Sequence, residues 1–193
     1  PAAAVSATIG VFASGRTHVA QGIVYRHAVE ALINRIALGH QLFTMKELRE
    51  RKLDTPRDMQ MDEYVSFLRE VARRLSPNAT EDEALTRTGR EMLSAYAQTF
   101  VGRTAFMVLR IGGVKKGVMR AADSMSTADD TTKLTAESLG ERHVRIHANK
   151  SYGVSAFQVG LMLQLLETLG VKSGGRVTVT PGAGDEASYD VTW

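Results

Sequence analysis

The chain has no cysteine in its 193 residues. That excludes disulfides, thiolate metal sites and a cysteine nucleophile, and it suits a reducing cytoplasm, the expected location. There is no run of about 18 apolar residues, so no membrane span is expected. The formal net charge is only +3, too small a surplus for wholesale nucleic-acid binding, although local asymmetry matters more than the total. Signature motifs are missing as well. GGVKKG lacks the strand–GxxxxGK[ST]–helix context of a phosphate loop. The glycines of PGAGD make a turn rather than a dinucleotide fingerprint, and no serine sits in a GxSxG elbow. An enzyme is therefore not expected. The opening PAAAVSATIGVFASG has no positive n-region and no initial Met, so it reads as a trimmed start rather than a signal peptide.

What is present describes an α+β domain. With 44% hydrophobic residues the chain can build a real core. Residues 1–20 read as a weakly structured segment with a candidate short strand at 5–12, and residues 21–193 as a single domain. Helical spacing covers 21–37, 42–52 and 61–75, the last with Tyr64, Val65, Leu68, Val71, Ala72 and Leu75 facing inward. Thr80 with Glu83 forms a capping box, and Glu81, Asp82 and Glu83 suit the positive end of a helix. From there Leu85, Met92, Leu93, Tyr96, Phe100, Met107, Val108 and Ile111 mark one face of a long helix, interrupted by Gly89 and Gly102 and ended by Gly112 and Gly113. A short amphipathic stretch follows at 115–125.

After Ser126 the period changes. Residues 131–139 alternate loosely and 142–150 alternate cleanly, with His143, Arg145 and His147 on one face and Val144, Ile146 and Ala148 on the other. That is a β-hairpin. Residues 154–169 form a helix apolar nearly all round, so it belongs in the core. Two more strands, 176–180 and 188–193, are joined by a hairpin loop at 181–185. The fold expected is helices, one of them long, followed by a ββαββ antiparallel-sheet unit. His143 and His147 have the spacing HxxxH, but four residues along a strand span roughly 13 Å, too far to share a metal.

Charge is uneven. Between Arg87 and Arg120 the cations are Arg87, Arg90, Arg103, Arg110, Lys115, Lys116 and Arg120, and Glu91 is the sole acid. Such a run is either a solvated face or a docking surface for an anionic partner. These seven are the candidate partner-binding residues. Nucleic acid on the same face is the alternative reading.

The pieces TPRDMQMDEYVSFLREVARRL, EDEALTRTGREMLSAYAQTFVGRTAFMVLRI, KGVMRAADSMSTADD and the closing ASYDVTW resemble a paralogous family of unknown function expanded in myxobacteria. The resemblance spans residues 22–193, and TGREML, TFVGR and Trp193 are its most specific parts. The layout is in turn similar to the ligand-binding fold of haem-NO-binding domains, vinyl-4-reductase-type domains and Bet-type (TRAPP-like) vesicle-tethering subunits. This implies a regulatory or scaffolding module of bacterial signalling, homodimeric, that binds a protein partner and holds a small apolar ligand. The haem-binding members use a helical histidine and a Tyr-x-Ser-x-Arg motif that the stretch Ser151 to Phe157 does not supply, so no haem or other cofactor is expected.

Overall fold

Capping chemistry sets where the helices begin. The computed structural model describes residues 6–8 and 22–193. After β1 (Ser6–Thr8) and β2 (Ile23–Val24), α1 (Arg26–Glu30) runs into a π-helical stretch, Ala31–Ala37. The remainder of the strand expected at 5–12 lies outside the described residues. A capping box of Thr44 and Glu47 starts α2 (Met45–Glu50), each side chain satisfying the other's backbone N–H. Next, β3 (Met59–Gln60) pairs antiparallel with β2 and leads directly into α3 (Met61–Leu75). That helix buries the face its apolar spacing predicts, including Tyr64, Val65, Leu68 and Leu75.

The second capping box, Thr80 with Glu83, opens α4 (Glu81–Ala97), the long helix of the fold at 17 residues. The helical pattern predicts that it continues to Ile111. Instead the chain breaks at Thr99. Its hydroxyl donates to the Tyr96 carbonyl at 2.8 Å and accepts from the Gly102 N–H at 2.8 Å. One side chain thus closes α4 and caps α5 (Phe100–Arg110). The break changes the phase of the apolar face. Gly102 and Phe106 turn inward, whereas Phe100, Met107 and Ile111, which the continuous pattern would bury, are 79%, 68% and 64% exposed. The left-handed Gly112 then separates α5 from α6 (Gly113–Met125), the stop that the glycine pair predicts.

The C-terminal third is the ββαββ unit. Hairpin β4 (Leu134–Gly140) and β5 (His143–Ala148) precedes α7 (Ser155–Thr168), and hairpin β6 (Arg176–Pro181) and β7 (Ala187–Thr192) follows it. The sheet order is β1-β6-β7-β5-β4, with β1 parallel to β6 and every other pair antiparallel. Alternation decides the faces. Val144, Ile146, Val177, Val179, Tyr189 and Val191 are buried under α7, while His143, Arg145 and His147 stand on the outer side. There Asp190 accepts from Arg145 at 3.0 Å and meets His143 at 2.8 Å, and His147 meets Ser188 at 2.9 Å. The two histidines serve different partners, as the strand reading predicts.

The central helix α7 separates two apolar clusters. Val159, Met162, Leu163 and Leu166 pack on the sheet, and Val154, Ala156 and Phe157 join the helical cluster of α1, α3 and α4. Burial of each large apolar side chain contributes about 1.5–3 kcal/mol. Its contact with α4 is backbone to backbone. A Cβ on Gly89 would lie 2.2 Å from the Phe157 carbonyl oxygen, and one on Gly160 would lie 2.0 Å from that of Thr86. The Thr86 hydroxyl donates across the crossing to the Ala156 carbonyl at 3.1 Å. The interruption of helical sequence at Gly89 is therefore a packing requirement.

Candidate functional site: an apolar cavity beside the central helix

Where α3, α7 and the chain entering β4 meet, packing leaves a cavity of about 130 Å³. Val65 and Leu68 of α3 form one wall, and Phe157 and Leu161 of α7 the opposite one, with Met92 and Met125 contributed by α4 and α6. Polar groups enter from four places: Tyr64 on α3, Asp129 and Thr132 in the loop before β4, Tyr152 in the loop before α7, and Gln158 on α7 itself. A cavity of this size is well below the roughly 300–1,000 Å³ of drug-sized pockets. It is close to the engineered apolar cavity of about 150 Å³ that takes up benzene or xenon.

Local hydrogen bonding positions these polar groups. Asp129 Oδ1 accepts from the Thr131 N–H at 2.9 Å, the Thr131 hydroxyl at 2.9 Å and the Thr132 N–H at 2.5 Å. Its neighbour Asp130 accepts from the Ile23 N–H at 2.7 Å, and the Ala128 carbonyl accepts from Tyr25 at 3.0 Å. These bonds sew the loop to β2. Tyr152 takes a left-handed backbone, φ 52°, which a bulky residue adopts only when its surroundings enforce it. Asp185, in the β6–β7 hairpin, supplies that restraint: it accepts from the Tyr152 N–H at 3.0 Å and the Ser151 hydroxyl at 2.9 Å. The Tyr152 and Thr131 hydroxyls are hydrogen-bonded to each other. Gln158 differs from the others, because its Oε1 is buried with no hydrogen-bond partner.

Electrostatically the cavity disfavours anions. Burial, with a smaller contribution from the Asp129 charge, pushes the Tyr64 phenol far above its ordinary value. Burial also raises Tyr152, although hydrogen bonds from Thr131 and Thr132 oppose it. Both phenols therefore stay protonated near neutral pH. Among the described residues, no lysine, arginine or histidine lines the cavity.

The sequence-predicted cations lie elsewhere and do not converge on one point. Arg87 reaches Ser76 at 3.4 Å, and Arg90 pairs with Glu167 at 2.8 Å, tying α4 to α7. Arg110 donates twice to the Thr168 carbonyl, and Arg120 to the carbonyls of Val108 and Ile111, so both seal helix C-termini. Lys115 is 3.5 Å from Glu141. Arg103 and Lys116 are on α5 and α6, where both stand exposed. Arg103 and Arg110 share α5 with the exposed Phe100, Met107 and Ile111, and Arg120 reaches the end of that helix through the Val108 and Ile111 carbonyls. Sequence reasoning does not single out the cavity residues. The one local signal is Gln158, and it is shared with Gln164, the second amide in the same largely apolar helical run.

An α+β domain of this topology has solved counterparts. The structure of an oxygen-binding H-NOX domain related to soluble guanylate cyclases aligns at TM-score 0.61 and 14% identity, covering 86% of this chain and 92% of that one. A point mutant of T. Tengcongensis H-NOX aligns at TM-score 0.61 and 12% identity, over 86% and 96% of the two chains. An H-NOX protein from S. oneidensis, in its Fe(II)NO ligation state, aligns at TM-score 0.59 and 12% identity, over 86% and 97%. The class is thus an H-NOX-like fold, and at this identity the likeness concerns the fold alone. Residues 22–193 match the family described as protein of unknown function (DUF2378), and the chain belongs to it. A comparison with curated proteins finds no match.

The fold relatives are described in terms of haem, and the donor set here can be tested against that group. The cavity has, among the described residues, no histidine to ligate iron and no cation to meet propionates, and its tyrosines are held as neutral phenols. Its volume of about 130 Å³ does not admit a macrocycle. Haem does not fit these residues.

Proposed function

We propose that this protein is a non-enzymatic regulatory module of bacterial signalling that holds a small apolar ligand in the cavity beside α7 and docks a partner protein through α5. The observation that carries the reading is the cavity itself, about 130 Å³ of mostly apolar surface inside a fold whose solved relatives include oxygen and NO complexes. The α5 face supports the docking half. Phe100, Val101, Met107, Val108 and Ile111 are exposed together, and contiguous apolar patches of this kind mark interaction sites. Arg103 and Arg110 share α5 with that face, Arg120 reaches its end, and no acid occurs between Glu91 and Asp123, so the partner is expected to be acidic. A homodimer fits the same reading only if it forms through another surface, because two copies of this face would set cation against cation.

Native mass spectrometry of the purified protein tests the proposal, since it reports a retained small molecule and the subunit count together. Retained mass that is lost when the cavity is filled supports the reading. The alternative, nucleic-acid binding by the same cations, predicts affinity that falls steeply with salt. Arg90 and Lys115 are paired with Glu167 and Glu141 within the fold, which leaves fewer free cations for a phosphate track. Charge reversal of the exposed Arg103 and Lys116 to Glu should abolish partner capture; unchanged capture would remove this surface from consideration.

A further inference from the structure

The ligand reading proposed above leaves the chemistry of the ligand open, and Gln158 narrows it. Gln158 of α7 lines the same cavity as the apolar Phe157, Leu161, Val65 and Leu68. Its Oε1 is buried and accepts no hydrogen bond. Buried acceptors are almost always satisfied, because leaving water without a replacement donor is costly. The other two orphaned buried oxygens among the described residues, on Ser155 and Tyr189, do not line the cavity. Gln158 is therefore the place where an acceptor and an apolar volume coincide.

Two of the remaining polar groups already have partners within the protein. Asp129 Oδ1 already receives three donors from its own loop, and Tyr152 is hydrogen-bonded to Thr131. An anion would find no cation among the described lining residues. We infer that the cavity binds an uncharged, largely apolar ring compound carrying one N–H or O–H, whose donor is accepted by Gln158 Oε1. This inference rests on the cavity being a ligand site. The volume sets the scale at one or two small rings, and the amide sets the orientation.

Indole and indene make the direct comparison, because they share shape and differ in one ring N–H. Calorimetric titration of both into the wild-type protein should show indole binding about two- to tenfold tighter, the range expected for one neutral hydrogen bond. In Gln158→Leu the preference for indole should be lost or reversed, because its buried N–H then lacks an acceptor. Gln158→Met, which keeps the side-chain length, gives the same comparison should the leucine variant fold poorly. Equal binding of indole and indene to the wild type would overturn the inference and leave the cavity as a non-selective ligand site. A preference for indole that survives in both variants would overturn it too, placing the acceptor elsewhere. No binding of either compound would overturn the inference and the ligand reading together.

Discussion

Glu47 gathers three donors: the Thr44 N–H at 2.7 Å, the Thr44 hydroxyl at 2.9 Å and Arg74 at 3.0 Å. The backbone N–H of Thr44 is the leading cause, and Arg74 the next, of a carboxyl lowered to about 2 from 4.5. A depressed carboxylate stabilises the fold in full above its unfolded value and loses that contribution as the pH falls through the folded one. Glu47→Gln should therefore be less stable than the wild type by a constant margin at neutral pH. The margin should close as the pH drops from 4.5 toward 2, read from urea midpoints at each pH. A margin that stayed unchanged at the acid end would show that charge has no part in it. Arg74 also lies 3.7 Å from the Phe43 ring centroid and donates to the Leu42 carbonyl at 2.7 Å. The pairing thus anchors the start of α2 to α3.

Among the elements, the crossing of α4 and α7 has the least tolerance. Gly89→Ala or Gly160→Ala should destabilise by about 1–3 kcal/mol in chemical denaturation, because the new methyl meets a backbone carbonyl and the helices must part. That loss has to exceed the roughly 1 kcal/mol by which alanine favours a helix over glycine. A neutral or stabilising result would mean the helices do not touch there. The α5 face makes the opposite prediction. Replacing Phe100 and Met107 by serine should change stability by no more than about 0.5 kcal/mol, as at other exposed positions. Truncation of a buried phenylalanine would cost about 3–5 kcal/mol. The same denaturation series decides between them. These two sites also show what local sequence can reveal. The capping box at Thr80 and the all-apolar run of α7 are readable because their causes lie within one helix. The break at Thr99 is not readable from apolar spacing, since a threonine hydroxyl that both closes and caps leaves the spacing on either side intact.

For the molecule as a whole, the order of helices followed by ββαββ was legible, because the apolar period changes from helical to alternating after Ser126 and back again at α7. The cavity was not. Its walls come from β2, α1, α3, α4, α6, β4 and α7, and nothing in any one of those segments records how they leave space between them. Gln158 is the exception in part, a polar residue in a buried helix, yet that its Oε1 is left without a partner is a property of the tertiary packing. The charge run was legible as composition, but the fold assigns several of its members to sealing helix ends. The central claim, that this space receives a small apolar molecule, is tested most directly by unfolding the protein with and without benzene. The wild type should gain about 1.4 kcal/mol at a ligand concentration ten times the Kd, while Val65→Phe, which fills the cavity from α3, should gain nothing. A wild-type stability that benzene does not raise would contradict the account.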